Sequence, residues 1–228
     1  MSCCTHCQDA ESFFSRRTAR RELRRYRRRG PPRFTRRLLD LIPERDVRER
    51  SLLDVGGGIG AIQHEMFARG LARAVHVDAS AAYLERSADE AERRGHRDRV
   101  EYRYGDFVDL APDLEAADIV TLDRVVCCYP DMPRLIRAST ARADRVYALS
   151  YPRARRATKA VMALGNLFFR LRRSAFRTFV HPPAAIHAEI ERQGFERVGR
   201  RRTIIWEAAV YRRMGVIRDG GGVGGRRE

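Results

Sequence analysis

The spacing of apolar positions changes near residue 50 and divides the chain. From residue 11 to 42, sparse apolar side chains interrupt a densely charged stretch that reads as helix. Glu11 to Arg29 has Phe13, Phe14, Leu23 and Tyr26 as its apolar contacts, and Gly30-Pro31-Pro32 breaks it. A second helix is predicted from Thr35 to Leu41, with Leu38, Leu39, Leu41 and the following Ile42, before Pro43 stops it. From Ser51 short apolar runs alternate with longer amphipathic ones. Strands are predicted over Ser51 to Val55, Ala74 to Val77, Val100 to Tyr104, Asp118 to Leu122 and Arg145 to Ser150. Helices from Ile59 to Arg69 and from Ser80 to Arg94 separate the first three, ended by Gly70 and Gly95. Strands spaced by such helices mean βαβ units, hence an α/β fold with a mostly parallel sheet.

The last third departs from this alternation. Ala154 to Leu171 reads as a helix with an apolar centre, Val161-Met162-Ala163-Leu164 and Leu167-Phe168-Phe169, between arginines. A helix from Pro183 to Gln193 ends at Gly194. Phe195 to Arg201 and Ile204 to Arg212 then read as two tightly connected strands, an antiparallel pair closing a seven-stranded sheet. The expected organisation is a helical extension over 1–47, a main domain over 48–214 and a disordered Gly/Arg tail over 215–228.

Composition narrows the class. With 228 residues and 43% hydrophobic side chains, the chain fits one domain with a short appendage. Its apolar runs fall short of the ~20 residues a membrane span needs. The first residues have no signal-peptide core, so a cytoplasmic protein without structural disulfides is expected. The net charge is +16, yet Lys159 is the only lysine among 46 basic residues. So strong an arginine bias looks more like genome composition than a phosphate track. A basic field still attracts anions of every kind, and nucleic acid stays as the weaker alternative partner.

The chemistry gathers at Leu52-Leu53-Asp54-Val55-Gly56-Gly57-Gly58-Ile59-Gly60-Ala61, where a glycine-rich turn follows the first strand. Such a turn lets a ligand approach the backbone, and the next helix offers free N–H groups. Gly56, Gly58 and Ala61 match the dinucleotide fingerprint G-x-G-x-x-A, with Asp78 at the distance of a ribose contact. Asp54 argues for a different ligand. A carboxylate beside a pyrophosphate is repelled, whereas a cationic sulfonium amino acid gains from it.

Leu52 to Gly60 resembles the first motif of the class I S-adenosylmethionine-dependent methyltransferases. Gly105-Asp106-Phe107 resembles that family's adenine-side motif. The resemblance implies a Rossmann-like sheet and a cofactor site formed by Asp54, Gly56, Gly57, Gly58, Gly60, Asp78, Ala79, Asp106, Phe107 and Asp123. Further segments are similar to the magnesium-protoporphyrin IX O-methyltransferases: Asp123 to Pro130, Ala148 to Pro152, Arg177 to His181 and Trp206 to Ala209. Tyr26 sits about where that family has an N-terminal tyrosine lid. Cys128 stands where the family has a histidine, across a one-residue insertion.

What these segments imply is O-methylation of a carboxylate on an apolar, tetrapyrrole-like small molecule. A carboxylate with pKa ~4 is already a nucleophile at neutral pH and needs no general base. His181, Tyr26 and Tyr129 are the candidate catalytic side chains. Arg124, Cys128 and Arg177 are the candidate acceptor contacts, with Arg173 an alternative clamp for a second carboxylate. His64 and His187 read as ordinary. Cys3, Cys4, His6 and Cys7 lie too close together to wrap one tetrahedral metal, so no metal site is expected. The apolar helix from Ala154 caps the acceptor pocket in the favoured reading and lies on a membrane surface in the weaker one. An RNA methyltransferase and a non-catalytic S-adenosylmethionine-binding protein are the alternatives. The sequence leaves the oligomeric state unassigned.

Overall fold

Strands of a parallel sheet are covered on both faces, so successive positions must be apolar. Ser51–Val55 and Ala117–Asp123 meet that demand, and in the computed structural model both lie at the centre of the sheet. The structure describes residues 15–172, 174 and 176–215. Phe13, Phe14, the N-terminal cysteines, Arg173 and nearly all of the 215–228 tail lie outside the described residues.

Helices α1 (Arg16–Arg29) and α2 (Arg33–Leu39) precede the sheet. There follow β1 (Ser51–Val55), α3 (Ala61–Ala68), β2 (Arg73–Asp78), α4 (Ala81–Arg93), β3 (Val100–Tyr104) and α5 (Phe107–Leu110). Next come β4 (Ala117–Asp123), α6 (Met132–Thr140), β5 (Ala143–Pro152), α7 (Arg156–Leu171), α8 (Pro183–Arg192), β6 (Phe195–Arg202) and β7 (Trp206–Arg213). The strand order is β3-β2-β1-β4-β5-β7-β6. Strand β7 alone is antiparallel, wedged between β5 and β6, so the predicted hairpin closes the sheet through its second strand.

Alternate residues of each central strand feed two cores. Leu53, Val120 and Leu149 pack with Leu135, Ile136, Ile186 and Ile190 from α6 and α8. Leu52, Ile119 and Ala148 pack with Leu38, Leu39, Ile62 and Met66 from α2 and α3. Helix α6 was not predicted, although its start carries signals: Asp131 accepts from the Arg134 amide at 3.0 Å, and a proline occupies the first turn.

The charged N-terminal helix is held by one buried carboxylate. Ala19, Leu23 and Tyr26 of α1 pack on Ile59 and Tyr83. Arg27 donates to Glu90 of α4 at 2.8 Å, and Arg93 and Arg94 close on the same carboxylate at 2.5 and 2.8 Å. Burial alone would raise the Glu90 carboxyl, but the hydrogen bonds from these three guanidiniums outweigh it and hold the group well below its usual range.

Candidate active site

In open α/β sheets ligands bind beyond the carboxyl ends of the strands, where the strand order reverses. Here that point lies between β1 and β4. A cavity of ≈ 530 Å³ opens there, walled by the ends of β1 to β4, by α1 and α2, and by α7.

The strand register places the acidic groups. Asp54 pairs in register with Thr121 on one side and His76 on the other. The Thr121 hydroxyl therefore reaches Asp54 Oδ1, donating at 2.7 Å. Asp54 is 1% exposed, and its Oδ2 has no hydrogen-bond partner among the described residues. Burial, with Asp123 and Asp78 nearby, pushes its carboxyl up to about 7 despite the Thr121 hydrogen bond. The loop above leaves no room for a side chain: a Cβ on Gly57 would sit 2.6 Å from Asp54 Oδ2 and 2.8 Å from His76 Cε1. A cradle closed by bare backbone over an unpartnered buried carboxylate fits a cationic ligand.

Asp78, at the end of β2, accepts from the Gly58 amide at 2.9 Å and from the Ser80 amide at 2.8 Å. It is pushed up to about 6 by burial, against those two amides. Asp106 caps α5 by accepting from the Val108 amide at 2.9 Å, and the Tyr129 hydroxyl donates to the same carboxylate at 3.2 Å. Ala79 and Phe107 complete this end of the cavity.

The other end is built on Asp123 and Arg124. Asp123 pairs in register with Ser150, whose hydroxyl donates to Oδ1, while the Thr35 hydroxyl donates to Oδ2 at 2.6 Å. Arg124 has φ 64°, a left-handed conformation rare for a side-chain-bearing residue and common where a site must aim a group. Its guanidinium lies 4.7 Å from the centre of the Phe34 ring, and Phe34 stacks on Trp206 at 5.6 Å. Met162 and Phe169 of α7, with Phe176, supply the apolar wall. Cys127 and Cys128 also line it, their sulfurs 3.7 Å apart, and this contact together with burial pushes the Cys127 thiol up.

Most of the predicted site residues meet here, and four are placed differently from expectation. Tyr26 lines the cavity, but its hydroxyl donates to Glu65 at 2.7 Å, and burial with that carboxylate raises it far above the usual phenol range. Gly60 is not on the cavity wall; it turns the chain into α3 with φ 75°, and a Cβ would meet Ser87, Gln63 and His64 within 3 Å. His181 is off the wall, with Nε2 3.0 Å from the Tyr129 carbonyl oxygen. Arg177 bends onto its own loop, donating to the carbonyls of Ser174 and Phe176 at 2.6 and 2.7 Å. Met162 and Phe169 come from the apolar helix expected to cap the acceptor pocket, whereas Thr35, Phe34, Thr121 and Trp206 went unpredicted as site residues. Of these four only Trp206, the lone tryptophan and part of the similar segment Trp206 to Ala209, carried a signal in the sequence.

Residues 53–142 match the family profile described as a methyltransferase domain. The arrangement matches solved methyltransferases over 77% to 93% of this chain. Magnesium protoporphyrin IX methyltransferase from Synechocystis with bound S-adenosylmethionine superposes with TM-score 0.66 at 15% identity, over 93% of this chain and 99% of that one. This is the class I methyltransferase fold. The same Synechocystis protein with bound S-adenosylhomocysteine gives 0.63 at 18% identity, over 77% and 80% of the two chains. A family 2 O-methyltransferase from Planctomyces limnophilus in complex with apigenin gives 0.64 at 20%, over 87% and 61%. Among curated protein sequences none matches the chain. The matched segment spans the glycine loop and the four aspartates of the cavity wall, Asp54, Asp78, Asp106 and Asp123.

Proposed function

We propose that this methyltransferase moves a methyl group from S-adenosylmethionine to a carboxylate of an apolar small molecule, a tetrapyrrole of the magnesium-protoporphyrin type being the favoured class. The observation that carries the reading is a single cavity with a carboxylate-lined end and an arginine-bearing aromatic end. When bound, S-adenosylmethionine supplies an electrophilic methyl group on a cationic sulfur. Asp54 would hold the positively charged amino-acid side of it, Asp78 would accept from the ribose hydroxyls, and Asp106 would lie at the adenine.

Direct displacement at a methyl carbon asks the protein for alignment and exclusion of water rather than proton transfer. The Phe34–Trp206 pair and the Met162, Phe169 and Phe176 wall would position and dry a flat apolar acceptor. Arg124, aimed by its backbone and stacked on Phe34, would pair with an acceptor carboxylate. Because that nucleophile arrives ionised, His181 can serve the Tyr129 loop and Tyr26 can stay bonded to Glu65 without loss of mechanism.

Calorimetry should register micromolar S-adenosylmethionine and no NADH. Labelled methyl from S-adenosylmethionine, added with a cell extract, should enter a lipophilic fraction as a base-labile ester. Label in RNA instead would replace the acceptor with RNA, and binding without any turnover would leave a non-catalytic ligand-binding protein.

A further inference from the structure

Helix α7 has two apolar faces, and the cavity uses only one. Thr158 is buried, and Met162 and Phe169 line the cavity. Val161, Leu164, Phe168 and Leu171 are instead 57%, 68%, 52% and 76% exposed. At about 100° per residue these four fall within an arc of roughly 80°, centred about 120° from the cavity-facing residues. Ile204 and Ile205, in the β6–β7 turn, line a shallow depression together with Val161, so the outward stripe runs on into that turn. Exposed apolar patches of this extent mark an interaction surface.

The charge around the patch selects the partner. Arg155, Arg156, Lys159, Arg170 and Arg172 of this segment are exposed, as are Arg200 and Arg201 beside the turn. No aspartate or glutamate occurs between Asp144 and Glu189. A second copy of a chain carrying +16 would bring like charges together at this face. RNA would answer the arginines but leave Leu164, Phe168, Leu171 and Ile204 without a role. An anionic bilayer satisfies both features: aliphatic and aromatic side chains enter the acyl boundary while arginines meet the headgroup phosphates. No helix among the described residues is long and apolar enough to cross a membrane, so α7 would lie in the interface plane.

We infer that the outer face of α7 and the β6–β7 turn form a docking surface for an anionic lipid bilayer. The docking itself stands apart from the methyl-transfer reading. Resting on that reading, the same helix would roof the acceptor end of the cavity with its inner face while its outer face is in lipid, giving a membrane-borne acceptor a short route to Arg124.

The test is co-sedimentation of the full chain with phosphatidylcholine vesicles, with and without phosphatidylglycerol. Binding should be about tenfold or more stronger with phosphatidylglycerol. The triple variant L164Q/F168Q/L171Q should lose about tenfold or more of it. S-adenosylmethionine affinity, read by calorimetry, should be unchanged, since none of the three lines the cavity. R155E/R156E should weaken binding only to the anionic vesicles. Undiminished binding by the triple variant overturns the proposal, because arginines alone would then hold the vesicle. So does absence of vesicle binding, whether RNA is bound instead or the chain proves to be a dimer that the triple variant dissolves. Loss of methyl transfer with vesicle binding intact would count against the proposed function and leave the docking standing.

Discussion

The two ends of the cavity are assembled in different ways. The acidic end comes from the last residues of β1 and β2 and from those just after β1, β2 and β3: Asp54 with the glycine loop, Asp78-Ala79 and Asp106-Phe107. Each is a short local motif, and the parallel sheet needs only to lay three strand ends side by side. The aromatic end is drawn from α2, the end of β4, α7, the loop at Phe176 and the start of β7, distant along the chain. Trp206 arrives there because β7 runs antiparallel and begins opposite Pro152, at the edge where the parallel strands finish. On the proposed function, a cofactor common to many reactions is held by a fixed local code, whereas the surface offered to the acceptor is built from variable pieces.

Four substitutions should separate the two ends. Glu90→Gln should strike both, because α1 roofs the cavity and depends on that carboxylate. Leaving Arg27, Arg93 and Arg94 without their partner should cost about 3 kcal/mol, a fall in Tm of about 9 °C for a chain this size, read by thermal denaturation. Burial opposes and the arginines favour the ionised form, with a net lowering, so this stabilisation is present at neutral pH and fades as pH falls into the acid range. Asp54→Asn should act at the acidic end alone, weakening S-adenosylmethionine about thirtyfold by calorimetry.

Arg124→Ala should leave cofactor affinity unchanged and raise the acceptor KM about tenfold, the loss of a charge-assisted contact. His181→Ala should change kcat less than about threefold with a carboxylate acceptor. A fall of a hundredfold or more, the scale of lost general-base catalysis, would mean an acceptor that must first give up a proton.

A pH titration sharpens the contrast further. The Asp54 carboxyl lies at about 7 and Asp78 at about 6, both raised chiefly by burial. Affinity for a cationic donor should therefore rise with pH through this range as the two carboxylates ionise. Stability of the unliganded chain should run the other way. An unfolded aspartate ionises near pH ~3.9, so the contribution of the buried protonated forms is complete below that value and is lost as pH rises toward 7. Asp54→Asn should flatten the upper part of both curves.

Much of the fold was legible because its signals are local. Alternating apolar strands and glycine-ended helices placed all seven strands, and only α6 and the short α5 were passed over, although Asp131 and the proline after it announced α6. The glycine loop with Asp54, then Asp78 and Asp106, was likewise readable, since each side chain acts within a few residues of a strand end. The destination of Tyr26, Arg177 and His181 was not. Each is a polar side chain that can satisfy itself in several ways, and only the packed chain supplied Glu65, two loop carbonyls and the Tyr129 carbonyl as the nearest partners. Thr35 on Asp123, the Phe34–Trp206 stack and the two-faced burial of α7 are also decisions of the tertiary structure. They depend on which elements the sheet order brings together, and no local pattern of residues encodes that adjacency.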